Sequence, residues 1–152
     1  MDKTKKILDN RRLKKNAAVY IDGENIAAKK AAEIINIIRK EGSVVEYIKV
    51  YSLQKDDATR MWTEVANHTD NMKDIRLYGP PAKNKVDNKI IKDAKRAVNK
   101  NRNVDIYYIV SSDHGYISVI YELRGKGKRV VVIGEKKASE KLRKSANKFI
   151  QI

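Results

Sequence analysis

The stretch AAVYIDGENIAAKK, residues 17–30, runs a short apolar segment into Asp22 and then into an alanine-rich segment. Residues 17–21 have the length and apolar character of a buried β-strand, and the apolar residues from Ala28 onward recur at helical spacing. The glycine and the two polar residues after Asp22 form a turn between the two patterns. The segment therefore predicts a strand, a sharp turn and a helix, with a carboxylate where the strand ends.

The same alternation of strand and helix patterns continues along the rest of the chain. The further predicted strands cover residues 44–53, 74–79, 104–110, 129–134 and 148–152, and the predicted helices cover residues 28–38, 56–68, 86–100, 116–127 and 139–147. Strands that alternate with helices are joined by right-handed crossovers and form a mostly parallel sheet with helices on both faces. The sequence therefore predicts an α/β fold with three layers and a mostly parallel central sheet.

The length of 152 residues indicates one compact domain. We expect this domain to cover residues 17–152, preceded by a basic N-terminal arm at residues 1–16. The chain contains no cysteine, which excludes disulfides and thiolate metal sites and favours a reducing, cytoplasmic compartment. No apolar run is long enough to span a membrane, and a secretory signal pattern is missing from the N-terminus. The sequence leaves the oligomeric state open, with a homodimer as one option.

The strongest global feature is a formal net charge of +15, from 34 Lys and Arg residues against 19 Asp and Glu residues. Residues 1–16 contain seven basic and two acidic residues (7 − 2 = +5), so the rest of the chain still carries +10. This excess favours a polyanionic partner, and nucleic acid is preferred over a membrane because no basic amphipathic helix with bulky apolar residues is present. The alternative is a lysine-rich protein whose charge serves solubility alone.

Three aspartates occupy comparable places in this pattern. Asp22 ends the first predicted strand, Asp113 ends the fourth, and Asp87 opens the helix after the third. The carboxyl ends of parallel strands lie at one edge of the sheet, and ligands bind there at the point where the strand order reverses, which the first and fourth strands usually flank. We therefore expect the three carboxylates to converge. Asp93, about 120° round the same helix from Asp87, is a further candidate ligand on the flank.

These acidic residues have two explanations. Aspartate is a favoured N-cap, and each of the three stands at a strand-to-helix turn. Clustered carboxylates, however, raise one another's pKa and destabilise a fold unless a cation lies among them. Oxygen ligands without His or Cys indicate Mg²⁺ or Mn²⁺, and such a metal can activate a water for attack on a phosphodiester. Asn25 either orients that water or a substrate phosphate, or is the N-cap of the first helix.

Basic residues accompany the acidic ones along the chain. The candidates for binding nucleic acid are Lys83, Lys85, Lys89, Lys126, Lys136 and Lys137. They stand on the segment that carries Asp87 or in the segments after Asp113, so we expect them to surround the acidic edge. Positive side chains around a metal site are suited to positioning phosphates, and the alternative is a set of solvated helix faces.

Four segments, in this order, resemble the NYN domains, a branch of the PIN-like nucleases. They are YIDGENI (20–26), KNKVDNKIIKDA (83–94), VSSDHGYISVIYELRGKGKRVVVIG (110–134) and GEKKASEKLRKSANKFI (134–150). The resemblance covers roughly residues 17–152, and it implies a Rossmann-like (PIN-like) fold and a metal-dependent endonuclease that acts on RNA. The acidic site positions that it implies are Asp22, Asp87, Asp93 and Asp113, with Asn25 at the family's asparagine.

The chain departs from the family pattern at two positions. Gly115 stands where the family's S-x-D-x-D-F motif has its second acid, and Asn147 stands where an aspartate often precedes K-F-I. Fewer carboxylates imply weaker metal binding, with one ion in place of two, or no catalysis. Two hypotheses therefore remain: a divalent-metal-dependent ribonuclease that cleaves single-stranded or structured RNA, or a non-catalytic RNA-binding or regulatory module on the same fold.

Overall fold

A computed structural model describes residues 14–53, 57–80, 82–100 and 103–152 of the chain. These residues form six β-strands and five α-helices. The strands are β1 (Asn16–Asp22), β2 (Val44–Leu53), β3 (Met72–Leu77), β4 (Ile106–Val110), β5 (Arg129–Gly134) and β6 (Lys148–Gln151). The helices are α1 (Ala31–Lys40), α2 (Asp57–Asn67), α3 (Lys85–Lys100), α4 (Ile117–Gly125) and α5 (Glu140–Ser145). Short 3₁₀ turns precede α1 (Ala28–Lys30) and α4 (His114–Tyr116).

The six strands form one sheet in the order β3-β2-β1-β4-β5-β6, and each neighbouring pair is parallel. The predicted α/β fold is therefore confirmed, with a fully parallel sheet between two layers of helices. The strand order reverses between β1 and β4, which are hydrogen-bonded neighbours. In such sheets the crevice at the carboxyl end of these two strands is where ligands bind.

Alternate side chains of β1 enter two separate apolar clusters, because successive residues of a strand point to opposite faces. Val19 and Ile21 pack on the face covered by α1 and α2, where Trp62 is fully buried. Tyr20 packs on the other face, under α3, α4 and α5, where it stacks against Tyr107 with ring centroids 6.2 Å apart. Burial on both faces explains why the sequence of β1 is a continuous apolar run.

Most predicted elements shift by one to three residues at an end, and two of these shifts have a clear local cause. The third strand was expected at residues 74–79 but is Met72–Leu77, because Gly79 adopts a positive φ of 97° and turns the chain away from the sheet. The last helix was expected at residues 139–147 but ends at Ser145. It ends there because Asn147, two residues after Ser145, already pairs with β5. The backbone N–H of Asn147 donates to the carbonyl of Val130.

Part of the predicted N-terminal arm falls outside the described residues, which begin at Lys14. Lys14 and Lys15 are exposed, and β1 starts at the next residue. Asp56, the expected start of the second helix, also lies outside the described residues. Within the described part of the chain, no helix combines the length and the apolar character needed to cross a membrane.

Candidate functional site

The turn after β1 fixes the position of Asp22. The N–H of Gly23 donates a hydrogen bond of 2.8 Å to the carbonyl of Tyr51 in β2. A Cβ atom on Gly23 would lie 2.7 Å from that carbonyl oxygen and 3.1 Å from Trp62, so only glycine fits here. The chain therefore leaves the sheet directly after Asp22, whose side chain lies at the carboxyl edge beside β4.

Four donors hold the Asp22 carboxylate, which is only 2% exposed. Its Oδ1 accepts from the backbone N–H groups of Glu24 and Asn25, both at 3.2 Å. Its Oδ2 accepts from the hydroxyls of Ser111, at 3.2 Å, and Tyr116, at 3.0 Å. The first pair organises the turn after β1, and the second pair comes from the segment that follows β4, so the carboxylate connects the two strands that flank the reversal.

Asp87 and Asp113 reach the same place from other elements. Asp87 lies in the first turn of α3 and is 8% exposed, and Asp113 follows β4. One carboxylate oxygen from each of Asp22, Asp87 and Asp113 lies within 4.8 Å of the other two. The hydroxyl of Tyr116 also lies 3.4 Å from Oδ1 of Asp87. The expected convergence of these three aspartates is therefore present; we call Asp22, Asp87 and Asp113 the acidic cluster.

The pKa values of the acidic cluster reflect burial and mutual repulsion. Burial raises the pKa of Asp22, although hydrogen bonds from Tyr116, Asn25 and Ser111 oppose this shift. Burial, a hydrogen bond to Asp113 and the charge of Asp22 raise the pKa of Asp87 to about 7. Burial would also raise the pKa of Asp113, but the Gly115 N–H and the hydrogen bond with Asp87 outweigh it and lower that pKa. Without a cation, a pKa of about 7 means that Asp87 keeps its proton below neutral pH and loses it as the pH rises through 7.

The donor set of the acidic cluster fits a hard divalent cation. Magnesium binds oxygen ligands at about 2.0–2.1 Å, so two oxygens on opposite sides of the ion lie about 4.2 Å apart. The observed limit of 4.8 Å between carboxylate oxygens requires only small movements to reach that geometry. Burial and the neighbouring carboxylates raise the pKa of Asp87, and a bound cation would favour its ionised form instead. Among the described residues, this is the one group of three metal-ligating side chains.

The structure answers the N-cap alternative differently for Asp113 and Asn25, while Asp87 lies inside α3 and is not its N-cap. Asp113 does cap the 3₁₀ turn before α4, since its Oδ1 accepts from the N–H of Gly115 at 2.9 Å. Asn25 is not a helix N-cap, because its Oδ1 instead accepts from the N–H of Ser112 at 2.8 Å. This bond joins the β1 turn to the end of β4 across the crevice. The N-cap interpretation of Asn25 was therefore wrong, because a tertiary contact takes its side-chain oxygen.

Asp93 lies apart from the acidic cluster. Its Oδ2 accepts a hydrogen bond of 2.7 Å from the hydroxyl of Tyr51, and its Oδ1 lies 3.2 Å from Nζ of Lys89. These contacts hold Asp93 on the flank of α3, as its helical position indicated. The structure brings Asp22, Asp87 and Asp113 together and does not bring Asp93 into that group.

The two departures from the family pattern have different places in the structure. A Cβ on Gly115 would lie 3.2 Å from Oδ2 of Asp87 and 3.3 Å from Oδ1 of Asp113, so a carboxylate here would enter the acidic cluster. Asn147 instead lies at the opposite edge, where its Oδ1 accepts from the N–H of Val130 at 2.8 Å. Only the glycine, therefore, removes a ligand from this cluster. His114 is an exposed neighbour, with Nδ1 3.7 Å from Oδ1 of Asp113.

Most of the candidate basic residues lie on the carboxyl edge with the acidic cluster. Lys83, Lys85 and Lys89 stand before and in the first turns of α3, and Lys136 and Lys137 follow β5. Several have contacts within the protein. Lys85 Nζ donates to the carbonyls of Tyr78 and Pro80, Lys89 pairs with Asp93, and Lys137 lies 3.9 Å from Glu135.

Lys126 is not part of this edge, which corrects the expectation for that residue. It follows the last residue of α4, and its Nζ donates to Oδ1 of Asn99, near the end of α3, at 2.6 Å. Nearby Arg129 pairs with Ile106, the first residue of β4, so this loop lies at the amino edge. Strands rise about 3.3 Å per residue, which separates the two edges by roughly 15 Å. The length of the helix after Asp113 carries the chain away from the site.

Residues that support the acidic cluster were only partly visible in the sequence. Tyr116 is a fully buried ring whose hydroxyl also donates to Asp22. Ser111 and Ser112 were not singled out. Ser111 Oγ accepts from the N–H of Asp113 at 3.1 Å, and Ser112 Oγ accepts from the N–H of Glu135 at 2.8 Å. The signal that was available is two small hydroxyl residues directly after a buried strand at the reversal point.

The sheet order and the carboxylates at its carboxyl edge define the class of protein as a Rossmann-like α/β protein with a candidate metal centre in the reversal crevice. The family model of the NYN domain matches residues 16–152, nearly the whole chain. The chain therefore belongs to the NYN domain family, whose fold is that of the PIN-like nucleases.

Solved structures support the fold. A protein of unknown function from Vibrio parahaemolyticus has a similar crystal structure, with a TM-score of 0.71 and 19% sequence identity over 91% of this chain and 93% of that one. MurG from Acinetobacter baumannii is similar with a TM-score of 0.51 and 13% identity, over 89% of this chain and 40% of that one. No curated protein matches the chain significantly.

Proposed function

We propose that this protein is a divalent-metal-dependent endoribonuclease that hydrolyses RNA phosphodiester bonds at the acidic cluster, in the cytoplasm. The observation that carries the proposal is the meeting of Asp22, Asp87 and Asp113 within 4.8 Å at the carboxyl edge of the sheet. The three residues lie at the end of β1, at the start of α3 and after β4. The fold brings these distant segments together, whereas neighbouring acids on one surface element would form a cluster without it. Membership of a family with a nuclease fold gives the cluster a chemical context.

In this proposal, the three aspartates hold Mg²⁺ or Mn²⁺, which supplies charge stabilisation and a more acidic water when bound. Tyr116 keeps the Asp22 carboxylate oriented through its hydroxyl, and burial and the nearby carboxylates raise the pKa of that hydroxyl, so it stays a donor. Asn25 is fixed through Oδ1 by Ser112, so its amide Nδ2 is the group that positions a water or a phosphate oxygen. Hydrolysis then adds the water oxygen to phosphorus and breaks the bond from phosphorus to one bridging oxygen, which takes up a proton and leaves as a hydroxyl group.

The basic residues of the carboxyl edge would hold the RNA. Lys83 and Lys136 are exposed and lie on segments that leave the sheet beside the acidic cluster. Phosphate contacts of this kind position a nucleic acid without reading its sequence. Because the whole chain carries +15, association with RNA should be fast and should weaken as salt is added.

The test is cleavage of end-labelled RNA with Mg²⁺ or Mn²⁺ by the wild type and by Asp22→Asn, Asp87→Asn and Asp113→Asn. The matched control is Asp57→Asn, since the Asp57 side chain is 91% exposed and pairs only locally with Arg60. We expect metal-dependent cleavage by the wild type and the control, and a loss of at least about 100-fold in the three cluster variants, as for removal of a major electrostatic contribution.

The alternative is an RNA-binding or regulatory module without catalysis. The observation that favours it is Gly115, which leaves the acidic cluster one carboxylate short of the family pattern. RNA binding without cleavage in either metal, unchanged in Asp22→Asn, would establish this alternative and reject the ribonuclease. Chelation with EDTA separates the two as well, because it should stop cleavage and leave electrostatic binding of RNA in place.

A further inference from the structure

Tyr78 is an exposed aromatic side chain at the same edge as the acidic cluster. It directly follows the last residue of β3, and 64% of its surface is exposed. This exposure does not fit a role in packing at the edge of the sheet. A large aromatic ring left in solvent gains no apolar burial within the described protein, so its face is free to pack against a bound partner.

The segment around Tyr78 is held in place by the helix that carries Asp87. Nζ of Lys85, the first residue of α3, donates to the carbonyl of Tyr78 and, at 3.2 Å, to that of Pro80. Gly79 between them has a φ of 97°, a conformation that side-chain-bearing residues rarely adopt. Tyr78 is thus bound to the first turn of α3 through Lys85, which lies two residues before Asp87. The backbone that carries the Tyr78 ring is therefore fixed.

The register of the sheet gives the separation of Tyr78 from the acidic cluster. Asp22 pairs with Tyr51 in β2, and Tyr51 pairs with Ile75 in β3. Two strand spacings of about 4.8 Å and three residues of about 3.3 Å therefore separate Asp22 from Tyr78, roughly 10 Å in each direction. A nucleic-acid strand whose phosphate lies at the cluster can reach the tyrosine within a few nucleotides.

We infer that Tyr78 is a stacking platform for one unpaired base of an RNA strand whose phosphate occupies the acidic cluster, so that the substrate class is single-stranded RNA. The inference rests on the proposed function for the position of that phosphate. Every base has a flat face, so stacking on an aromatic side chain holds a strand without selecting its sequence. Bases inside a duplex already stack on one another and do not offer this face.

A basic residue that follows Tyr78 along the chain fits the same partner. Lys83 is exposed five residues after Tyr78, on the connection that leads from the platform to α3. A positive side chain beside an aromatic ring is the combination that single-stranded nucleic-acid sites use for backbone and base. Tyr121 provides the contrast, since it is 54% exposed in the middle of α4 and lies next to Arg124 of its own helix.

The test is fluorescence anisotropy with a labelled single-stranded oligoribonucleotide, in an Asp22→Asn background that prevents cleavage. Removal of one stacked base costs about 1–3 kcal/mol, so Tyr78→Ala should lower the affinity about 5- to 140-fold. Tyr78→Phe keeps the ring and should bind within about twofold of the parent. The matched control Tyr121→Ala should also leave the affinity unchanged, and a blunt RNA duplex should bind equally to all variants.

Oligonucleotides with a single abasic position sharpen the test. At one position the missing base should weaken binding to the parent protein, and Tyr78→Ala should then cause no further loss. Unchanged affinity in Tyr78→Ala, an equal loss on the duplex, or a loss that persists at every abasic position would overturn the inference. Failure of the proposed function has a different result. The wild type would then show no metal-dependent cleavage of RNA, whatever the effect of Tyr78→Ala on RNA affinity.

Discussion

At the level of single residues, the carboxylates of the acidic cluster control how many protons the folded protein binds. Asp22 and Asp87 are buried and lie close to another negative charge, and both have a pKa raised by burial first. Hydrogen bonds from Ser111 and Tyr116 offset only part of this cost. Without a cation the folded state therefore binds protons that the unfolded state has released.

The first prediction concerns pH. The pKa of Asp87 is about 7 in the folded protein against an ordinary value of 3.8. Between about pH 4 and pH 7 the folded state binds more protons than the unfolded state, so the free energy of unfolding falls as the pH rises through this window. Urea denaturation in EDTA should show this fall, and Asp87→Asn should reduce it. Parallel profiles of wild type and variant would contradict the assignment. The lowered pKa of Asp113 acts only below about pH 4.

The second prediction concerns Gly115. In Gly115→Asp, a new carboxylate joins the acidic cluster, because the Cβ position lies 3.2 Å from Asp87 and 3.3 Å from Asp113. We expect a lower melting temperature in EDTA, from added repulsion, and a larger stabilisation by Mn²⁺ than in the wild type, from the added ligand. Gly125→Asp is the matched control, because a Cβ there has no neighbour within 4 Å. Equal stabilisation of all three proteins by Mn²⁺ would reject this role for the position.

The sequence predicted the acidic residues better than their support. Asp22, Asp87 and Asp113 each stand at an element boundary, and the topology of a parallel sheet is enough to bring such boundaries together. The choice of Asn25 between a helix cap and a bond to Ser112 depends on the distance between two loops, which no local pattern contains. For the same reason the sequence does not predict the hydrogen bond from Ser111 to Asp22, since a serine after a strand is common.

Among the elements, the β1 turn carries the tightest packing at the site. Gly23 lies between the carbonyl of Tyr51 and the ring of Trp62. The indole N–H of Trp62 in turn donates to the carbonyl of Ile26 at 3.0 Å. Strand β1, strand β2 and helix α2 thus meet at one glycine directly after Asp22, so any shift of this turn moves the carboxylate.

The third prediction tests this packing. Gly23→Ala places a methyl group 2.7 Å from a backbone oxygen, which must move. We expect destabilisation of about 1–3 kcal/mol, the usual cost of overpacking, together with weaker metal binding. Gly125→Ala, in open space within a helix, should be neutral or slightly stabilising. The free energies come from urea denaturation, and an unchanged midpoint for Gly23→Ala would show that the turn relaxes freely.

Element boundaries were predicted well where both faces of a strand are buried. The fifth strand was expected at residues 129–134 and is Arg129–Gly134, because its apolar run is continuous. The edge strand β3 was placed two residues too late. None of its residues is fully buried, and its end is set by the turn at Gly79, so the apolar pattern carries little information there.

For the molecule as a whole, the two edges of the sheet differ in their acidic residues although both carry basic residues. The carboxyl edge combines the acidic cluster with Lys83, Lys136 and Lys137, while Lys126 and Arg129 lie at the amino edge. The charge of +15 alone does not distinguish these edges. The fold distinguishes them, because every helix returns the chain from the carboxyl edge to the amino edge.

The fourth prediction uses this division. Lys136→Gln should weaken RNA binding and reduce the slope of log affinity against log salt by roughly 1, as for a lost phosphate contact. Lys126→Gln removes the same charge at the amino edge and should leave affinity and slope near those of the wild type. Binding is measured by filter retention over a range of salt concentrations. Equal losses in the two variants would mean that net charge, not edge, determines binding.

The convergence of residues from distant parts of the chain has a consequence during protein synthesis. Asp22 and Tyr116, which are in contact in the folded protein, are separated by 94 residues in the sequence. Chains fold from the N-terminus as they emerge from the ribosome, and a chain that has not yet added β4 lacks Asp113 and the hydroxyls that orient Asp22. On the proposed function, a nascent polypeptide therefore does not cleave the ribosomal and messenger RNA around it until Asp113 and Tyr116 have been added and have folded against Asp22.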